Sequence, residues 1–305
     1  MRRTQILTLA LGFTAVLGGI VVHGAQAPIR MPTDEEIQKM TAAMPDKPTA
    51  KPAQPRKVLV VGRNEAHLPV PFAAKALEIM AKKTGAFGAV FSNDPAMFEA
   101  ESLKQFDAVV LNNLHASDPL LPGNFKQLPK DQQEEARKRA KVLLQNLDAF
   151  VKGGKGLVGL HGATVGLPEI GNLLGGNFAG WPWKGKEEFP VKLDDPTHPL
   201  NAAFEGKGFV VLDEGYQFKE PYSRENLRVL MSVDLAKTKE LGLRPDHDYA
   251  MGWVKSYGKG RVFYSAIGHF PELYWNPKLL RHWLDGIQFA IGDLKADTTP
   301  SAKLK

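Results

Sequence analysis

The chain contains no cysteine. That absence excludes a disulfide framework, a thiolate zinc site and a cysteine nucleophile, so any metal has to be held by His, Asp, Glu or water. Charge of one sign is scarce as well. The formal net charge is +6, or +4 once Arg2 and Arg3 are set aside with the N-terminal segment, and Lys and Arg alternate with acids along the chain. With no basic stripe and no nucleic-acid motif, no nucleic-acid partner is expected. What is present is apolar bulk: 43% of the 305 residues are hydrophobic, enough for one substantial core or a single α/β domain with insertions.

The first residues read as an address. Arg2-Arg3 precedes an apolar run from Ile6 to Val22, and small residues follow at Gly24-Ala25-Gln26-Ala27, the pattern of a signal peptide. Residues 1–27 are therefore expected to direct export to the periplasm or outside the cell, with no membrane span once they are removed. An uncleaved N-terminal anchor is the alternative. Residues 28–56 carry repeated prolines and alternating charge and read as a linker or a strap, with a short helix at Asp34 to Met44. The folded domain is expected over 57–293, followed by a tail over 294–305.

Within the domain, Lys57 to Gly62 is a continuous apolar run suited to a strand buried on both faces. A helix over Phe72 to Lys83 follows, then strands near Ala89 to Ser92 and Phe106 to Leu111, and a long amphipathic helix over Asp131 to Lys152. A strand at Leu157 to Leu160 comes next, and further strands at Phe209 to Leu212, Tyr249 to Tyr257 and Arg261 to Ala266. A closing helix spans Pro277 to Ile291, with His282 in a structural role beside its buried stripe. The alternation predicts an α/β fold with a mainly parallel sheet and helices on both faces.

Ligands of such sheets sit beyond the carboxyl ends of the strands. Five runs are expected to deliver polar groups there: His67 after the first (with Arg63, Asn64 and Glu65), then Asn112 and Asn113, then His161, then Asp213, Glu214 and Tyr216, and finally His269. Gly159-Leu160-His161-Gly162-Ala163 has the form of a nucleophile elbow, which presents its middle side chain to solvent. A histidine there can bind metal, move protons or hydrogen-bond a ligand. Gly175 to Trp183, GGNFAGWPW, offers Trp181 and Trp183 as a sugar-stacking platform or as a lid on the core. His198, in the turn DDPTHP, is read as a hydrogen-bonding turn residue. Asp246-His247-Asp248 looks metal-like, but on an extended chain only Asp246 and Asp248 share a side.

These stretches are recognisable together. GLVGLHGAT, DDPTHPLNAAF, DEGYQF, YGKGRVFYSAIGH and WNPKLLRHWLDGIQFAIGD resemble the ThuA-like family, named for trehalose utilisation, and the resemblance runs from Lys57 to Asp293. It implies a flavodoxin-like, class I glutamine amidotransferase-like three-layer sandwich, and a role in carbohydrate metabolism alongside partner sugar dehydrogenases. Carried over, the family's polar positions fall on His67, His161, Glu214 and His269. Two departures stand out: Trp181 replaces the histidine of a frequent Gly-His-Pro-Trp, and Val165-Gly166-Leu167 replaces a more polar turn.

The leading expectation is an exported enzyme acting on a sugar, keto-sugar or glycoside. His161, Glu214 and His269 would be catalytic, with Asn112, Asn113, Trp181, Trp183 and Tyr216 binding substrate. A divalent metal (Zn, Mn, Fe or Ni) would sit on His67, His161 and His269, and no nucleotide cofactor is expected. Removal of a proton next to a sugar carbonyl begins isomerisation, elimination and keto-glycoside hydrolysis alike. The alternative is a non-catalytic carbohydrate-binding or scaffold protein, in which Trp181, Trp183, Tyr216 and Trp275 stack on sugar. Glutamine amidotransferase chemistry is excluded by the cysteine-free elbow, and the oligomeric state is left open.

Overall fold

A computed structural model describes residues 29–63 and 66–304. The expected signal segment, and Asn64 and Glu65 after the first strand, lie outside the described residues. No helix among the described residues is long and apolar enough to cross a membrane.

The strand-helix half of the chain follows its apolar runs. Strand β1 (Lys57–Val61) leads through helix α2 (Pro69–Thr84) to β2 (Gly88–Phe91). A short helix, α3 (Ala100–Leu103), precedes β3 (Ala108–Asn112), and α4 (Lys130–Lys152) leads to β4 (Gly156–Leu160). Every residue of β3 and β4 is buried, which is why these strands read as unbroken apolar runs instead of alternating ones. Helix α4 buries Ala140, Leu143, Leu147 and Val151, one stripe at helical spacing.

Two glycines of β4 show how closely both faces are covered. A Cβ on Gly156 would stand 2.5 Å from the Ala290 carbonyl oxygen of helix α6 (Pro277–Ile291), and one on Gly159 would stand 2.7 Å from Leu174 at the end of α5 (Pro168–Leu174). Residues 156 and 159 point to opposite faces of a strand, so α6 and α5 cover opposite faces of β4.

The remaining strands are β5 (Asn177–Leu193), β6 (Phe209–Lys219), β7 (Arg228–Val233), β8 (Ala250–Tyr257) and β9 (Gly260–Ser265). They complete a nine-stranded sheet in the order β2-β1-β3-β4-β9-β8-β7-β5-β6. Pairs from β2 to β9 are parallel, whereas β9-β8, β8-β7, β7-β5 and β5-β6 are antiparallel. The fold is thus α/β with a mixed sheet, and the expectation of a mainly parallel one is corrected. Gly258 and Lys259 join β8 to β9 as a two-residue hairpin closed by the Tyr257–Gly260 pair, a connection too short for a parallel crossover. Two further boundaries differ from expectation: the GGNFAGWPW stretch is largely strand, and Phe209–Leu212 continues through Asp213, Glu214 and Tyr216 to Lys219.

The segment before the domain joins the same core. Helix α1 (Asp34–Ala43) starts with a reciprocal Thr33–Glu36 capping box, which satisfies two otherwise unpaired N–H groups. Met40 and Met44 are buried. Thr49 and Ala50 donate from their backbones to the Gln288 side chain at 2.8 and 3.1 Å, and Arg56 pairs with Asp293 at 2.5 Å. Beyond α6, Ser301 donates to the Leu227 carbonyl at 2.9 Å and Arg228 reaches Asp297 at 3.3 Å. Met40→Ala is expected to cost about 2–5 kcal/mol, the range for truncating a fully buried Met, read as a lower urea midpoint.

His282 is fully buried on α6 between Phe204 and Phe263, with Nδ1 donating to the Leu200 carbonyl at 2.7 Å. Burial pushes its imidazole down from 6.5 to about 4. Between those values the unfolded chain binds a proton that the folded chain refuses, so stability is complete above 6.5 and is lost as pH falls through the window. The urea midpoint is expected to fall between pH 7 and pH 4.5, with a shallower fall in His282→Gln.

Candidate functional site: a histidine cluster over the sheet edge

Strand β4 ends at Leu160, and at His161 the backbone turns to φ +43°, a left-handed value that is costly for a side chain with a Cβ. The Tyr264 hydroxyl holds the turn by donating to the His161 carbonyl at 2.7 Å. Three more non-glycine residues beside it share this conformation: Asn113 (φ +50°), His115 (φ +43°) and Ala116 (φ +62°). Backbone bonds from His115 to Gly162 at 3.0 Å and from Ala116 to Val165 at 2.8 Å lock the two turns together. Strain concentrated in this way, and held by its surroundings, is characteristic of functional sites.

The elbow does not present its histidine to solvent. His161 is 0% exposed because β6 crosses above the carboxyl edge, bringing Tyr216 within 4.6 Å, ring to ring. Asp213, fully buried, pins this crossing by accepting from the backbone N–H groups of Gly268 and His269 at 2.7 and 3.0 Å. Glu214 therefore reaches the site from the middle of a strand and not from a strand end, and His269 follows β9 at the edge as expected.

His161 Nδ1 lies 2.7 Å from the Ala266 carbonyl. A carbonyl oxygen can only accept, so Nδ1 carries the proton and Nε2 offers a lone pair. That lone pair faces the Tyr216 hydroxyl at 2.7 Å and Glu214 Oε2 at 3.5 Å. On the other side, His269 Nδ1 stands 3.6 Å from Glu214 Oε2. One ligand atom from each of His161, Glu214 and His269 lies within 4.8 Å of the other two.

His67 packs alongside, its ring 5.4 Å from His269 and 6.4 Å from His161. It is outside the group whose ligand atoms converge, which is His161, Glu214 and His269, whereas the sequence reading had grouped His67 with His161 and His269. His115 stacks on His67 at 4.2 Å. The sequence pattern had a signal for His115, since it ends the Asn112-Asn113-Leu114-His115 stretch after an apolar run, whereas nothing local marked Asp213 as the anchor.

Burial holds two of the imidazoles neutral. Burial, reinforced by the other histidines, pushes His67 down to about 3 and His269 to about 4. Burial works to raise Glu214, but the surrounding imidazoles, His161 first, favour its ionised form and hold the carboxyl below its ordinary value. Tyr216 is pushed well above 10 by burial and then by neighbouring acids and Tyr264, so its hydroxyl is a donor at neutral pH. Asp213 is raised to about 6, chiefly by burial. The Nδ1 atoms of His67 and His269 are buried without a hydrogen bond among the described residues.

Other sequence candidates are placed elsewhere. Asn112 and Asn113 are fully buried, with Asn112 donating to the Val70 carbonyl at 3.0 Å and so tying α2 to β3, and Asn113 donating to Asn112 at 2.7 Å. Trp183 is 1% exposed and packs on Phe189 and Tyr249, while Trp181 is 46% exposed and stacks on Phe178. Asp246 and Asp248 are taken up by Arg244 and Arg224. His198 caps a short helix and reaches the Asp297 carbonyl, and His282 is structural.

Asp213→Asn loses an acceptor and turns an amide N–H toward backbone donors. It is expected to lower unfolding free energy by about 1–3 kcal/mol, measured by chemical denaturation at pH 8, where the wild-type carboxyl is ionised.

Residues 57–290 match the family model described as ThuA, trehalose utilisation. Among solved structures, a ThuA-like protein from Bacteroides uniformis aligns at TM-score 0.58 and 20% identity, covering 83% of this chain and 98% of that one. A cytoplasmic protein from Salmonella typhimurium aligns at TM-score 0.47 and 14% identity over 77% of this chain and 98% of its own. A β-galactosidase from Bacillus circulans aligns at 0.44 and 13% over 78% and 31%. No curated protein matches the sequence significantly. The family model spans most of the chain, residues 57–290: the chain belongs to the ThuA family.

Proposed function

We propose that this protein acts in carbohydrate utilisation by proton transfer on a sugar, keto-sugar or glycoside, with a divalent metal held by His161 Nε2, Glu214 and His269 Nδ1. The observation that carries this reading is the convergence of three ligand atoms within 4.8 Å, one of them on a histidine whose other ring nitrogen donates to a backbone carbonyl. That second bond is the usual way a protein fixes the tautomer and aim of a metal-ligating imidazole. The family's description, trehalose utilisation, supplies the substrate class.

The donor set suits a borderline ion such as Zn, Mn, Fe or Ni. His269 Nδ1 is buried without a hydrogen bond, as a ligand atom would be. His161 Nε2 is shared with the Tyr216 hydroxyl at 2.7 Å, so an ion competes there with one hydrogen bond. A bound ion would supply Lewis acidity toward a sugar carbonyl. The chain's own groups do the rest: Glu214, ionised at neutral pH, takes a proton; Tyr216 donates to a developing oxyanion; the neutral His67 imidazole alongside avoids repelling a cation.

Export through residues 1–27 to the periplasm or beyond, and partner sugar dehydrogenases, belong to the same proposal. A non-catalytic sugar-binding role is the second reading, favoured by the half-exposed Trp181 ring.

Mass spectrometry of the purified protein is expected to find near-stoichiometric metal that falls at least tenfold in His161→Ala and His269→Ala and leaves a His282→Gln control loaded. A panel of free and keto sugars is expected to show turnover that disappears with the metal. Equal metal in all four proteins would sink the assignment, and metal bound without turnover of any sugar would shift the choice to the binding role.

A further inference from the structure

Asp194 of the DDPTHP turn and the Asp246-His247-Asp248 stretch take no part in the histidine site. They line one cleft of about 800 Å³ that shares no residue with it. The cleft opens where β5 and β7 end. Asp194 follows β5, Asp234 follows β7, and Lys192 stands directly across from Ser232 in the ladder between them. Opposite partners and residues two apart share a face of a sheet, so Lys192, Asp194, Ser232 and Asp234 lie on one side.

Two acceptors in this cleft are left over. Ser232 is 2% exposed, and its hydroxyl has no hydrogen-bond partner among the described residues. The Asp194 side chain, 9% exposed, gives Oδ1 to Arg224 at 3.0 Å, while its Oδ2 is buried and has no partner. Arg224 is held by Asp248 through two bonds at 2.8 and 2.9 Å, and Lys192 reaches only Oδ1, at 3.8 Å. Buried acceptors without a donor are costly, so the pair calls for a ligand that brings donors.

Charge selects the kind of donor. Asp194, Glu220, Glu225, Asp234, Asp246 and Asp248 line the cleft against Lys192 and Arg224. Acids stay in excess when Lys237 and Arg244, which pair with Asp234 and Asp246, are counted too. The acids are also dispersed: among the described residues only His161, Glu214 and His269 bring three ligand atoms within 4.8 Å. A divalent ion, which gathers its oxygens closely, is therefore a poorer fit than an elongated cation.

We propose that this cleft binds an aliphatic diamine, one ammonium donating to Asp194 Oδ2 and Ser232 Oγ and the other lying against Asp234. An ammonium carries three donors and no acceptor, which matches oxygens that can all accept. Ser232 and Asp234, two residues apart on extended chain, are separated by about 7 Å, the reach of a four-carbon diamine. The site is independent of the chemistry at the histidines.

The test is calorimetric titration of the full chain with putrescine, with its one-ended counterpart butylamine and with calcium, at low ionic strength, where charges are least screened. Wild type is expected to bind one putrescine, and butylamine at least fivefold more weakly. Ser232→Ala should weaken putrescine about fivefold and Asp194→Asn at least tenfold, the scales of a neutral and a charge-assisted hydrogen bond. Asp234→Asn should weaken putrescine and not butylamine, and Glu101→Gln, an exposed acid on α3, should change neither. Asp194 also holds Arg224, so Ser232→Ala, with an unaltered urea midpoint, keeps the test readable if Asp194→Asn unfolds. No binding of putrescine by wild type, or equal affinity in Ser232→Ala, overturns the site. Butylamine binding as tightly as putrescine overturns the two-ended ligand, and calcium displacing putrescine one for one gives the cleft to a metal and overturns the amine.

Discussion

A buried carboxylate accepting from two consecutive backbone N–H groups is the interaction on which the site depends. Asp213 lies on β6, at the far antiparallel edge of the sheet, and Gly268 and His269 follow β9, near its centre. Through that one side chain the sheet is drawn over itself, so that Glu214 and Tyr216 cover the carboxyl ends of the parallel strands. Burying a carboxylate without such partners would cost several kcal/mol. Phe218 continues the closure by packing on Trp253 and Tyr264.

Crowding then decides the chemistry. Four imidazoles and one carboxylate meet at this edge, and a charge on His67 or His269 is disfavoured by burial and by the neighbouring imidazoles. Glu214, favoured in its ionised form by the same neighbours, is the negative counterpart. Neutral imidazoles are competent ligands and poor repellents of cations, which makes the arrangement suited to a positive guest or to a substrate with developing negative charge. The left-handed turns at His115 and His161 place side chains that an extended strand could not aim in this direction.

Much of the parallel half was legible in the chain. Apolar runs marked β1, β3, β4 and β9, the Ala140–Leu147–Val151 spacing marked α4, and Pro277 and Gly292 bounded α6. His161 and His269 were legible for the same reason, since a polar residue after a buried run must leave the sheet at its carboxyl edge. The antiparallel half was less so. Phe209–Lys219 is interrupted by Asp213 and Glu214, which look like a strand end until their partners in β9 are known, and Arg228–Val233 gives no hint of its neighbours.

The sequence by itself determined the family, the absence of thiol chemistry, and a set of histidines and acids fated for one edge of a sheet, because short-range patterning of apolar and polar residues is a local property. Tertiary structure alone decided that the ligand atoms of Glu214, His161 and His269 converge without His67, that Asn112, Asn113 and Trp183 turn inward, and that Trp181 turns out. Those outcomes rest on contacts between residues far apart in the chain and on a bulge in β5, between Gly180 and Trp183, defined only by what lies across from it, and neither leaves a periodicity for the sequence to display.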